Sequence, residues 1–364
     1  MRQGTAGGRL LEVFLFALSS FVLYYFGVGV LLFLIPLQVT ATRRGVRGLL
    51  ASACMFLAML VGVRLVTALP GAAAAETALL LAVELFGVVV LLAGLLAVNF
   101  TWGRNLRTLA KLLAAGVVTG VLAVPLVLFL SSSTVFTQAM GGLFADVSKM
   151  ISSLFSAAAE GASGAVGASG AVGTATALSS ILEPAKLMEI TRAWFLRSFI
   201  AGYVLVLGFS WWAGSASAAR SLALKGGALP AASEAPSNTG ALRPARLAEF
   251  RLESFYLWPL IASWAGIGLD LWIGLSFASY AVWNIGLVML FLYGLQGLAI
   301  LRFLFEKHRL PRLLWFLLVV GLLVLAASPR TNLFIVIAVP VFGISENWIR
   351  YRVREAPGAG ERKE

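Results

Sequence analysis

The stretch SYAVWNIGLVMLFLYGLQGLAILRFLF, residues 279–305, decides the fold. At about 1.5 Å per residue, Tyr280–Phe305 is long enough to cross a bilayer. Three polar side chains, Asn284, Tyr293 and Gln296, interrupt its apolar run, and the cationic cluster Arg302, Lys307, His308, Arg309 and Arg312 follows. An amide in hydrocarbon needs a partner on a neighbouring helix or in a wet cavity, so Asn284 and Gln296 are expected to face inward. For a single amide, gluing helices together is the simpler role.

The whole chain fits that reading. Of 364 residues 60% are hydrophobic and 12% charged, with a mean hydropathy of +0.93. Soluble domains carry about 25% charged residues. The formal charge of +12 would suit nucleic acid, but the basic residues sit at the ends of apolar runs. That is the topology signal of membrane proteins, and nucleic-acid binding is set aside. One cysteine, Cys54, permits no intramolecular disulfide, and one histidine, His308, permits neither a Cys/His metal cluster nor a His-based triad. No Gly-rich phosphate loop with a following Lys is present, so ATP hydrolysis by this chain is not expected.

The fold expected is an all-α polytopic transmembrane bundle. Arg2 and Arg9 before the first apolar run resemble a signal-peptide start, but no clean small-residue cleavage site follows, so the segment is read as retained. Leu10–Leu37 is too long for one comfortable span. Gly27, Gly29 and Pro36 divide it into Leu10–Phe26 and a shorter return, Gly27–Thr40, the alternative being one long tilted helix. Further segments are Leu49–Leu69, Thr77–Asn99, Leu112–Leu130, Thr191–Trp212, Phe255–Leu275, Tyr280–Leu304, Leu313–Ala327 and Asn332–Ile349. The total is about 9–10 membrane segments.

Charge tests the topology. With the N-terminus inside and sides alternating, most of the 28 lysines and arginines fall inside. They include Arg43, Arg44, Arg47, Arg104, Arg107, Lys111, Arg220 and Arg302. Lys149, Lys186, Arg192 and Arg330 stay outside. The asymmetry favours both termini in the cytoplasm and supports the divided first run.

Two long connections organise the chain. An N-terminal half, 1–213, carries an outer loop, 131–190. A cytoplasmic linker with an interfacial helix covers 214–254, a C-terminal half 255–350, and a cytoplasmic tail 351–364. In the outer loop Leu143, Phe144, Val147, Met150, Ile151, Leu154 and Phe155 share one helical face, opposite Asp146, Lys149 and Ser152. Such a helix lies on the outer surface or caps the bundle. Gly161–Gly173, GASGAVGASGAVG, is a near-duplicated small-residue tract, and Gly226–Gly240 reads as a linker. Arg243–Phe255 is expected to be a short interfacial helix, with Trp258 at headgroup level. Trp211, Trp212, Trp315 and Trp348 near span ends read as an interfacial belt, and the small residues around Gly294 and Gly297 as a close helix contact.

Five polar residues fall at comparable depth, roughly 6–10 Å below the outer span ends. They are Arg64, Glu84, Arg197, Asp270 and Asn284. Ionised groups there pair with one another, line a wet cavity, or do both. Two structural ion pairs, Arg64 with Glu84 and Arg197 with Asp270, would satisfy them, and shallow arginines can also snorkel to the headgroups. The sharper expectation is an outward-facing pocket formed by these five, with Gln296 as a further binding residue.

The C-terminal half carries Phe250–Arg251–Leu252 leading to Pro259, then Asn284, then Leu292–Tyr293–Gly294–Leu295–Gln296–Gly297–Leu298–Ala299, and finally Gly343–Ile344 with Trp348 and Arg350. Near the N-terminus stand Ile35–Pro36–Leu37 and Arg44–Gly45. Together these resemble the YybS-like family, bacterial inner-membrane proteins with a domain of unknown function. Members often show an acidic residue between the last Gly and the Trp, and Glu346–Asn347 occupies that place. The family is distantly similar to the substrate-binding subunits of energy-coupling-factor vitamin transporters, which bind ligand near the outer face. This chain is much longer than those subunits, and its first helix lacks their spaced Ala pairs.

Taken together, the expectation is a multi-pass protein of the bacterial cytoplasmic membrane, not an enzyme and without a cofactor. It would capture a small polar solute from outside, with a membrane partner supplying any energy coupling. The alternative, of another class, is a non-transporting scaffold that assembles with other membrane proteins. A membrane-embedded enzyme ranks third, since Glu84 and Asp270 have no evident nucleophile beside them.

Overall fold

Where no water can bond the backbone, a chain satisfies its N–H and C=O groups within each segment by forming helices. The computed structural model follows that rule. It describes residues 6–27, 32–68, 74–100, 108–132, 134–162, 183–224, 247–328, 331–349 and 351–352, none of them in a strand. The chain divides into two compact units, Met1–Ala241 and Leu242–Glu364. Most of the Gly161–Gly173 tract, the Gly226–Gly240 linker and residues 243–246 lie outside the described residues.

The first unit holds α1 (Ala6–Tyr25), α2 (Leu34–Ala68), α3 (Ala74–Asn99), α4 (Thr108–Ser132), α5 (Thr134–Ala162) and α6 (Pro184–Leu224). α2 is a helical hairpin. Gly45 has φ +71° and ψ −169°, outside helical values and in a region that glycine enters freely. The rings of Phe33 and Phe56 stack at 5.2 Å, whereas a straight helix would hold them roughly 34 Å apart. The chain therefore descends through residues 34–44, reverses at Gly45 and climbs through 46–68. This is the expected short return after a first span ending near Phe26. The climbing arm rises roughly 34 Å, enough to cross hydrocarbon, and the descending arm only about half of that.

Its neighbours close around the hairpin. α2 packs against α1, α3 and α6, and α4 against α3 and α6. Phe33, Leu34, Leu37, Phe56, Leu60, Leu95 and Leu207 are buried in one core, and Val90, Ala123 and Phe199 in a second. The expected outer helix is α5, which packs on α6 and α4. Its apolar face is divided: Phe144, Val147 and Ile151 are half-buried, while Leu143 and Met150 stay exposed. α6 continues past both expected ends of its span, to 41 residues.

The second unit holds α7 (Leu257–Ile273), α8 (Phe277–Lys307), α9 (Arg312–Ala327) and α10 (Asn332–Ser345). α8 is the axis, packed against α7 and α10, with α9 on α10. The opening stretch thus becomes the central helix of its unit. The closest approach is between α8 and α10. A Cβ on Gly297 would stand 2.2 Å from the Val339 carbonyl oxygen, and one on Gly343 2.0 Å from that of Tyr293. Only glycine lets the backbones meet so closely, as the small residues there led one to expect.

Two further elements differ from expectation. In place of an interfacial helix over Arg243–Phe255, the described part carries two 3-10 turns, Leu247–Glu249 and Ser254–Tyr256. Side chains from α8 and the C-terminal segment hold that backbone, as described below. The last helix stops at Ser345 rather than Ile349.

By length and composition, Leu34–Thr67, Leu81–Asn99, Pro184–Ser221, Ser254–Ile273 and Phe277–Lys307 can cross a membrane, the first being the hairpin. Leu10–Tyr25, Leu109–Pro125, Arg312–Ala326 and Asn332–Ser345 are shorter apolar helices. Large apolar side chains such as Trp258, Leu271, Trp272 and Phe277 point outward. Water would not tolerate such a surface, and lipid does.

Candidate functional site

The six residues nominated from sequence divide between the units. Arg64, Glu84 and Arg197 belong to the first, and Asp270, Asn284 and Gln296 to the second. Each unit has its polar groups gathered near opposite ends.

At one end of the first unit, Arg64 of the climbing arm and Glu84 of α3 form an ion pair of 2.7 Å. The Tyr24 hydroxyl, from the last turn of α1, donates to the same carboxylate oxygen at 3.1 Å. One carboxylate thus ties three helices. The Arg64 side chain remains 42% exposed and that of Glu84 20% exposed. Arg197 lies two residues before Phe199, which packs with Val90 and, beside them, Phe86. It therefore stands towards the same end as Glu84. The pairing of Arg64 with Glu84 is the plainer of the two readings the sequence allowed.

Towards the other end lie two clusters that the nomination missed. Gln38 and Asn99 exchange amide hydrogen bonds of 3.2 and 2.7 Å. Gln38 also donates to Ser215 at 3.4 Å, so α2, α3 and α6 share one buried polar knot. Nearby, Glu12 accepts from Arg43 at 2.8 Å and also pairs with Arg44. Arg43 donates in addition to Ser221 of α6 and lies over the Phe16 ring at 5.5 Å. Gln38 and Asn99 were visible as lone amides in or beside apolar runs. Nothing in their spacing showed that the two would meet.

In the second unit Asp270 is 7% exposed and organises the α7–α8 turn. One carboxylate oxygen accepts the Leu275 N–H at 2.9 Å. The other accepts Ser279 Oγ–H at 2.8 Å and Trp283 Nε1–H at 2.9 Å. A buried carboxylate is tolerable when so many donors face it. The turn bends through Gly274, φ +67°, and Ser276, φ +47°. Asn284, on the next turn of α8, donates to its own Tyr280 carbonyl at 2.7 Å.

Gln296 lies three helical turns further on, roughly 18 Å from Asn284 along α8. It serves a different cluster. Its Oε1 accepts the Leu252 N–H at 3.1 Å, and its Nε2 donates to Glu346 at 2.9 Å. Glu346 also pairs with Arg352 at 2.8 Å, their side chains being 2% and 12% exposed. Arg352 donates once more, to the Ala248 carbonyl at 2.9 Å. This clasp fastens the segment before α7 and the chain after α10 to the central helix. Sequence reasoning missed Arg352. Glu346 was marked only by its place between Gly343 and Trp348.

Among the described residues no group of three His, Cys, Asp or Glu side chains could hold a metal ion.

Residues 241–342 match the family described as "Predicted membrane protein (DUF2232)". The match covers α7, α8, α9 and most of α10. With the apolar helices, it makes this chain a multi-pass membrane protein, similar to an uncharacterised membrane family. No curated protein and no solved structure matches it.

Proposed function

We propose that this protein is a non-catalytic scaffold of the bacterial cytoplasmic membrane, an assembly subunit whose embedded polar residues fix the arrangement of its helices. The observation that carries this reading is where those polar groups point. Both oxygens of Asp270 accept donors, one from the α7–α8 turn and two from the start of α8. Both ends of the Gln296 amide, and the Glu346 carboxylate, hold chain segments together. Glu84 joins Arg64 to Tyr24. Such contacts give a bundle a defined shape, and the outward apolar side chains offer it to lipid and partner helices. The surplus of basic residues at one set of helix ends supports a cytoplasmic orientation of both termini.

The test is purification of the tagged chain from its native membranes in mild detergent. A scaffold retains a membrane-protein partner at fixed stoichiometry through size exclusion. A chain that elutes alone, and is stabilised saturably by a polar solute, contradicts the proposal.

Solute capture is the second reading, and one observation favours it. The Arg64 guanidinium is partly exposed while sharing its carboxylate with Tyr24, so an incoming anionic solute could displace Glu84. The distant resemblance to energy-coupling-factor binding subunits points the same way. A partner would then supply the energy.

A further inference from the structure

The end of the first unit around Gly45 carries more positive charge than its own helices neutralise. Arg43 is held in place by Glu12, Ser221 and the Phe16 ring, and Arg44 shares Glu12. A single carboxylate therefore faces two guanidinium groups. Arg47, two residues past the Gly45 bend, and Arg220, beside Ser221, are exposed and form no ion pair among the described residues. The contact between Arg43 and Ser221 brings the end of α6 to the hairpin, so Arg220 joins this cluster through structure and not through sequence proximity.

Apolar surface adjoins the cluster. Leu10 and Leu11, next to Glu12, are 62% and 59% exposed, and Leu50, just past Arg47, is 45% exposed. Cationic side chains above exposed leucines match an amphiphile with an anionic head and apolar tails. A soluble anion would gain nothing from the leucines.

We infer that the hairpin end formed by Arg44, Arg47 and Arg220 binds the phosphate of an anionic lipid headgroup, with the acyl chains lying against Leu10, Leu11 and Leu50. Glu12 and Ser221 fix Arg43 as the inner wall and leave the outer arginines to meet the phosphate. Arginine suits this role because its planar fork meets phosphate oxygens two at a time. Basic groups at a membrane surface attract anionic lipid in this way.

The experiment uses the delipidated full-length chain in neutral detergent, titrated with phosphatidylglycerol, phosphatidylcholine or inorganic phosphate while thermal unfolding is followed. Ligand bound only by the folded state raises the unfolding temperature with concentration. Phosphatidylglycerol should do so saturably and phosphatidylcholine should not. In the Arg47→Gln/Arg220→Gln variant the half-saturating lipid concentration should rise about 25-fold, since each arginine near a charged surface contributes about fivefold. Lys149→Gln, on α5, should leave it unchanged. Equal shifts from both lipids, or an unaltered titration in the double variant, would overturn the inference. A shift that inorganic phosphate alone reproduces would overturn the lipid as its source.

Discussion

Gly343 of α10 faces Gly297 of α8 so closely that a Cβ on Gly343 would sit 2.8 Å from the Gly297 nitrogen and 2.0 Å from the Tyr293 oxygen. Both obstacles are backbone atoms and cannot swing aside. Gly343→Ala and Gly297→Ala should each force the helices apart, at a cost of about 1–3 kcal/mol or more. Gly321→Ala is the control, because nothing lies within 4 Å of its added methyl group. Thermal unfolding followed by helical circular dichroism checks this: both contact variants should melt earlier, and Gly321→Ala should not.

In the Glu346–Arg352 pair the carboxylate is buried and the guanidinium largely so, and each member has further partners. Removing one leaves the other uncompensated, which costs about 3–5 kcal/mol for a buried pair. Arg352→Ala and Glu346→Ala should each destabilise the protein strongly, and the double variant less than their sum. A double-mutant cycle on unfolding free energies measures the difference. Strict additivity would mean that the clasp does not act as a unit.

Asp270 takes three donors, so Asp270→Ala strands Leu275 N–H, Ser279 Oγ–H and Trp283 Nε1–H. A buried donor left unsatisfied costs about 1–3 kcal/mol. Asp270→Asn keeps one acceptor oxygen and should lose less. Unfolding temperatures in the order wild type, Asn, Ala would support a structural role, and equal temperatures would remove it.

Gln38→Leu should test the three-helix knot. Polar contacts between membrane helices contribute about 0.6–1.7 kcal/mol. The variant should therefore be modestly less stable, and Asn99→Leu added to it should cost little further, because the two amides bond each other. A second full-sized loss would show that Asn99 acts independently.

Much of this architecture was legible in the sequence because hydrocarbon imposes a single solution on apolar runs. The central helix was visible in its long apolar stretch, and the short return after the first span in Gly27 and Pro36 together with the charge alternation that a single first span would break. The glycine contact showed in the small residues near Gly294. Partnership was legible only for Arg64 with Glu84, on adjacent segments, and not across longer separations. Glu346 meets Gln296 across 50 positions, and Gln38 meets Ser215 across 177. No helical period relates such pairs. The segment before α7 was misread as an interfacial helix because its composition suits one, while its conformation is held by Gln296 and Arg352 from elsewhere in the chain.

Arg64 decides between a scaffold and a solute-binding protein, since it is the most exposed member of the embedded polar groups bound at that end. The most direct measurement is a thermal-shift titration of purified wild-type and Arg64→Gln protein against small polar solutes, anionic metabolites first. The scaffold account predicts no saturable stabilisation in either form, with Arg64→Gln only slightly less stable, because a partly exposed ion pair contributes about 0–1 kcal/mol. A saturable shift in the wild type that Arg64→Gln abolishes would contradict it and place solute capture at the Arg64–Glu84 pair.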